Sequence, residues 1–177
     1  MTHRVLLKMA EQKEIFYVYD TLLGMQTASH GEHRNLTANM AKRSRYFLVY
    51  PGKIDREFET GGQREVGSRY FEGAAAGSVM IGECLETEAF REHLGWPDAV
   101  IRVPFDAPNI AKILADLDSQ PTRMEQARKS NIVQSLLRHD WAYRWGTVLD
   151  MAGLKPKAAL IDRLEYLKSM AEDVKKA

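Results

Sequence analysis

Glu72 stands in a run of glycines and small side chains, Gly67-Ser68-Arg69-Tyr70-Phe71-Glu72-Gly73-Ala74-Ala75-Ala76-Gly77-Ser78-Val79-Met80-Ile81-Gly82, whose residue types suit the binding of an anion. Ser68 is placed to cap a helix start, and Gly77 to end that helix. The first turn of a helix leaves several backbone N–H groups unpaired, and together with the helix dipole they attract phosphate. Glu72, about one turn into the helix, would stand beside such an anion. Its carboxylate can accept hydrogen bonds from two neighbouring hydroxyls, as a ribose offers. The stretch therefore holds the parts of a nucleoside-diphosphate site. Spacing alone leaves a second reading open, a structural helix with an exposed glutamate.

Other chemically suggestive groups are weaker. His139-Asp140-Trp141 places a histidine beside an aspartate, but adjacent helical residues point to different faces, which disfavours an acid–base dyad. Asp116-Leu117-Asp118 spells a metal-binding pattern at the end of an amphipathic helix. His30 and His33 are only two histidines, and no Cys/His group has zinc spacing. The lone Cys84 reads as a small residue in or near the core, and with no second cysteine it fits a reducing compartment.

The elements that would carry these residues follow from periodicity. Val5, Leu6, Met9 and Ala10 predict a helix over 3–14, and Ile15-Phe16-Tyr17-Val18-Tyr19 a strand. Asp20 and Thr21 would then lie at its carboxyl end, facing a ligand crevice or capping the next turn. A loop is expected over 24–31, a helix over 32–43 and a strand over 46–50, stopped by Pro51-Gly52. Residues 52–66, rich in charge of both signs, read as a long working loop. Val79-Met80-Ile81 predicts a short buried strand, followed by a helix near 86–94 and a strand over 99–103. Asn109 is placed to cap a helix whose Ile110, Ile113, Leu114 and Leu117 share a face. Pro121 would open a long helix to about Leu137, and a further helix spans about 140–151, closed by Gly153. A tail over 157–175 gathers Leu160, Leu164, Leu167, Ala171 and Val174 on one stripe. Alternation of strand and helix predicts an α/β fold, a Rossmann-like parallel sheet with helices on both faces over 1–154, plus a helical tail over 155–177.

With 25 basic and 24 acidic side chains the formal net charge is +1, so there is no global drive toward nucleic acid or an anionic surface. Glu11, Lys13 and Glu14 interrupt the opening residues before an apolar segment develops, so no secretory signal is expected. Nor does any apolar run approach the ~20 residues that span a bilayer. The expected compartment is the cytoplasm.

Phe71-Glu72-Gly73-Ala74-Ala75-Ala76-Gly77 resembles the Glu-x-x-Ala-x-Gly element in the nucleotide-sugar half of GT-B glycosyltransferases. The chain over about 3–154 resembles family 1 glycosyltransferases with a spore-maturation, CgeB-like C-terminal domain. The likeness is carried by Arg43-Ser44-Arg45-Tyr46-Phe47, Pro51-Gly52-Lys53, Gly67 to Glu72, Trp96-Pro97-Asp98 and His139-Asp140-Trp141. The resemblance implies a donor domain that binds a nucleotide-diphosphate sugar, with Glu72 on the ribose and the N–H groups around Gly67, Ser68 and Arg69 facing the diphosphate. Lys53 and one of Arg64 or Arg69 would oppose charge on the leaving diphosphate. Many retaining relatives carry a second glutamate eight positions before the ribose glutamate. Arg64 stands there, leaving Glu65 or Gln63 to orient the sugar. The resemblance makes His139-Asp140-Trp141 a structural marker, with Trp141 and Trp145 packing one turn apart. It implies no metal or other cofactor, and an unknown acceptor: a sugar, lipid-linked glycan or protein of cell-envelope, surface or spore polysaccharide synthesis. GT-B enzymes use two such domains, so a preceding acceptor domain or a partner chain would supply the other half. The alternative is a non-catalytic nucleotide- or nucleotide-sugar-binding module, or a scaffold whose tail stripe docks a helix.

Overall fold

Three short strands, β1 (Tyr46–Val49), β2 (Val79–Gly82) and β3 (Ile101–Arg102), lie parallel in the order β1-β2-β3 in the computed structural model, which describes residues 2–19 and 29–177. The central strand is buried along its whole length, as expected of an apolar run covered on both faces. Its register sets Tyr46 beside Val79 and Val49 beside Gly82. Gly82 is required there, because a Cβ would come within 1.8 Å of the Val49 carbonyl oxygen.

Nine helices are described: α1 (Thr2–Glu11), α2 (His30–Arg43), α3 (Glu57–Thr60), α4 (Ser68–Ala76), α5 (Glu88–Leu94), α6 (Ile110–Asp118), α7 (Pro121–Arg138), α8 (Trp141–Met151) and α9 (Ala158–Lys176). Side chains alternate across the sheet and build two cores. On one face Val79, Ile81, Ile101 and Val103 pack with Leu6 of α1 and with Ile110 and Leu117 of α6. On the other, Val49 and Met80 pack with Tyr70 and Ala74 of α4 and with Phe90 and Leu94 of α5. The chain is thus an α/β protein with helices on both faces of a small parallel sheet.

The close approach of α4 to the sheet is made at Gly73 and Ala74, whereas Ala75 faces outward. A Cβ on Gly73 would lie 2.8 Å from both Met80 Sδ and Phe47 Cδ1. Gly77, left-handed at φ 68°, ends the helix as its position in the sequence predicts. Beyond it, the buried Ser78 hydroxyl donates to the Ala41 carbonyl at 2.6 Å, tying the end of α2 to the α4–β2 turn. The predicted stripe on α9 forms, with Leu167 and Ala171 buried and Leu160, Leu164 and Val174 half-buried, and α9 packs along α7.

Several expectations need correction. Residues 15–19 join no ladder. The segment is extended, with Ile15 and Tyr17 laid on the α1–α6 core and Phe16 exposed, so its strand-like composition serves packing rather than pairing. Helix α2 starts at His30, earlier than expected, because Ser29 accepts a hydrogen bond from the Glu32 N–H. Residues 52–66 are not a structureless loop, since α3 forms inside them and Gly61 closes it in the left-handed conformation. Gly67, not Ser68, occupies the cap position of α4, and Ser68 is its first helical residue. Asn109 does precede α6, but its side chain makes no capping bond. Asp20, Thr21 and the loop residues 24–28 lie outside the described residues.

Candidate functional site

In a parallel sheet the residues just beyond the strand carboxyl ends face the crevice where ligands bind. Helix α4 runs from that edge back across the sheet, so its first turn opens there. The Tyr70 hydroxyl pins it by donating to the Glu83 carbonyl, directly after β2, at 2.9 Å. No side chain caps α4; the Tyr70 N–H turns back to the Gly67 carbonyl at 3.2 Å, and the N–H groups of Ser68 and Arg69 keep their donor capacity toward this edge. Gly67 has open space where a Cβ would stand.

A hollow of about 390 Å³ lies at this edge, between Gly62 and Arg64 on one side and Glu83, Cys84, Leu85, Glu86 and Thr87 on the other. Arg102, ending β3, donates to the Cys84 carbonyl at 3.1 Å and approaches Glu83 at 3.9 Å. Burial is the main influence on the Cys84 thiol and pushes it up, which keeps it protonated and a poor nucleophile. Across the same edge the Tyr50 hydroxyl reaches the Val103 and Pro104 carbonyls, each at 3.2 Å. Burial, with the Glu83 charge second, pushes that phenol up to about 12.

A second hollow, of about 330 Å³, runs between α2 and α4. It is lined by the small Ala38, Ala41, Ala75 and Ala76 and by the charged Arg34, Lys42, Arg69 and Glu72.

The residues singled out from the sequence divide between these places. Arg64 lines the first hollow, while Arg69 and Glu72 line the second. Gln63 and Glu65 are exposed in the segment between α3 and α4, and Ser68 is exposed on the first turn of α4. Lys53 sits in the turn after Pro51 with a left-handed backbone, φ 55°. All four cationic or acidic anchors are already paired: Lys53 with Glu59 at 2.7 Å, Arg64 with Glu57, and Arg69 with Glu72 at 3.1 Å. Most of these side chains are about half exposed, and exposed pairs hold weakly. An incoming anion would therefore meet little resistance in exchanging for a carboxylate partner.

Glu83, Cys84 and Arg102 were not singled out as site residues from the sequence. The available signal is positional: each lies within three residues of the carboxyl end of a predicted strand. Other groups singled out from the sequence have structural partners. Asp118 accepts from the Tyr46 hydroxyl and pairs with Arg45 at 2.9 Å. The His139 Nε2–H donates to the His93 carbonyl at 2.8 Å, and its ring sits among Phe71, His93 and Trp96. Asp140 caps α8 through the Ala142 N–H. Trp141 and Trp145, expected to pack, are instead exposed. Among the described residues no three His, Cys, Asp or Glu side chains gather as metal ligands, and no helix is long and apolar enough to cross a membrane.

Compared with known families, characterised proteins and solved structures, the chain shows no match.

Proposed function

We propose that the chain is the donor-binding part of a glycosyltransferase, a Rossmann-like GT-B half over 1–154 with a helical tail over 155–177, which holds a nucleotide-diphosphate sugar. The observation that carries the reading is the uncapped start of α4 at the carboxyl edge of a parallel sheet, with Arg64 in the hollow at that edge and Arg69 and Glu72 at the neighbouring hollow between α2 and α4. The unpaired N–H groups and the dipole would receive the diphosphate. Lys53, Arg64 and Arg69 would give up their carboxylate partners to it, and Glu72, released from Arg69, would accept from the ribose hydroxyls. Positive charge at the diphosphate favours breakage of the sugar–phosphate bond, because negative charge builds on the leaving oxygen in the transition state. Gln63 and Glu65, beside Arg64 in sequence, are the residues left to contact the sugar. The acceptor would be bound by a further domain or a partner chain, and without it little transfer is expected.

The test is a calorimetric titration with UDP, GDP and their sugars, using the chain and its Glu72→Ala and Lys53→Ala variants. Binding that needs the diphosphate and weakens in both variants is expected. Binding that is equally tight in the two variants would remove the site as assigned.

A further inference from the structure

Helix α8 carries a large apolar surface that the rest of the fold does not cover. Its large apolar side chains face solvent: Trp141 is 70% exposed, Trp145 57%, Val148 51% and Met151 84%. Trp141, Trp145, Val148 and Ala152 recur at the spacing of one helix face. The side turned inward carries the small Ala142, buried, with Tyr143 and Leu149 half-buried. Contiguous exposed apolar surface of this kind marks a contact site.

The charge around the stripe selects the partner. Arg144 lies at its edge with the guanidinium 5.4 Å from the Trp141 ring. Beyond the helix, exposed Leu154 is followed by the exposed Lys155 and Lys157. Two acids lie in the same segment, and neither cancels this charge at the stripe. Asp150 follows Trp141 by about two and a half turns and so points to the opposite side. Asp140 is engaged by Arg163 at 2.7 Å and by the Ala142 N–H. A protein-binding surface would be depleted in lysine. Tryptophans in a row with a basic border are the composition of a helix that lies in a membrane interface.

We propose that α8 and the segment following it dock on a lipid surface bearing anionic headgroups, with the Trp141–Trp145 stripe in the headgroup layer and Arg144, Lys155 and Lys157 on the phosphates. This docking is independent of nucleotide binding.

The experiment is co-sedimentation of the full chain with vesicles of phosphatidylcholine alone or mixed with phosphatidylglycerol, at low and high salt. The expected result is partitioning onto the anionic vesicles, weakened by salt, with a blue shift of tryptophan fluorescence. Removal of one cation, in Lys155→Gln or Lys157→Gln, is expected to weaken partitioning about fivefold. Trp145→Glu is expected to weaken it more than about tenfold. Failure to bind anionic vesicles, or equal binding by Trp145→Glu, overturns the proposal. So does self-association of the chain, seen by sedimentation velocity and abolished by Trp145→Glu, when vesicles are not bound, since the stripe then joins two copies. If Trp145→Glu does not fold by circular dichroism, lipids spin-labelled on the headgroup decide with the unaltered chain. Fluorescence quenching at headgroup depth supports docking, and its absence overturns it.

Discussion

Trp96 donates its indole N–H to Asn131 Oδ1 at 2.8 Å, and through that bond a loop before β3 is fixed to the middle of α7. Asn131 is fully buried, and its amide nitrogen in turn serves the Ser78 carbonyl at 3.2 Å and the Ala99 carbonyl at 3.4 Å. One side chain thus satisfies polar groups beside β2, before β3 and on Trp96. Asn131→Leu keeps the branching and the number of side-chain heavy atoms but orphans all three partners, and each buried unsatisfied group costs about 1–3 kcal/mol. A loss of about 3 kcal/mol in urea unfolding is expected. An unchanged midpoint would mean that water reaches these groups.

Three glycines of the α4–β2 unit are expected to respond very differently to alanine. At Gly82 the new Cβ meets backbone, 1.8 Å from the Val49 oxygen, so β1 and β2 must separate. At Gly73 it meets the flexible Met80 and the Phe47 ring at 2.8 Å, a clash that repacking relieves at about 1–3 kcal/mol. At Gly67 it meets nothing within 4 Å. Thermal unfolding should therefore rank Gly82→Ala far below Gly73→Ala, with Gly67→Ala near the parent. Gly82→Ala melting with Gly67→Ala would contradict the β1–β2 register.

The fold was legible where one local signal decides the outcome. Gly77 stops α4 whatever surrounds it, and the α9 stripe appears because its five apolar positions share one face. Tertiary context decided the rest. Ile15 and Tyr17 have strand composition, but the described residues give them a core to cover and no strand to pair with. The charged segment over 52–66 hides α3, whose helix rests on local carboxylate–guanidinium pairs and the Gly61 stop. The candidate site was visible in the types of Arg64, Arg69 and Glu72. Their distribution over two hollows was not, because sequence spacing does not say which neighbouring helix a side chain meets.

Acid should weaken the fold through His139. Burial is the largest influence on its imidazole and lowers its pKa below the ordinary value of 6.5, despite the bond to the His93 carbonyl. A folded value below the unfolded one means that the unfolded chain binds the proton more readily. The stabilisation is then complete above about pH 6.5 and is lost as pH falls from there through the folded value. His139→Gln, which retains an N–H donor and cannot titrate, should lose less stability between neutral and mildly acidic pH than the parent. Parallel losses in urea unfolding would place the sensitivity elsewhere.

Asp98 behaves in the same direction at lower pH. Arg123 grips its carboxylate with two hydrogen bonds, at 2.8 and 2.7 Å, and holds the carboxyl below the usual aspartate value of 3.8. The contribution is present above that value and lost as pH falls through the folded one. Asp98→Asn should therefore be less stable than the parent at neutral pH, with the gap closing toward the acid limit. A gap that stays constant with pH would show that the guanidinium is not the cause.

Glu59 offers a gain-of-affinity test of the donor reading. Its carboxylate holds Lys53 at 2.7 Å and Arg56 at 3.2 Å, and a nucleoside diphosphate would have to displace it from Lys53. The Lys53 pair is more than half exposed on the lysine side, so its removal should cost the fold no more than about 1 kcal/mol. The same energy returned to the ligand corresponds to an affinity rise of up to about fivefold. Glu59→Gln is expected to bind UDP or GDP more tightly in calorimetry, while leaving the corresponding nucleoside, which has no phosphate, unaffected. Tighter binding of both would point to a loosened α3 rather than a released lysine. No change for either would take Lys53 off the diphosphate.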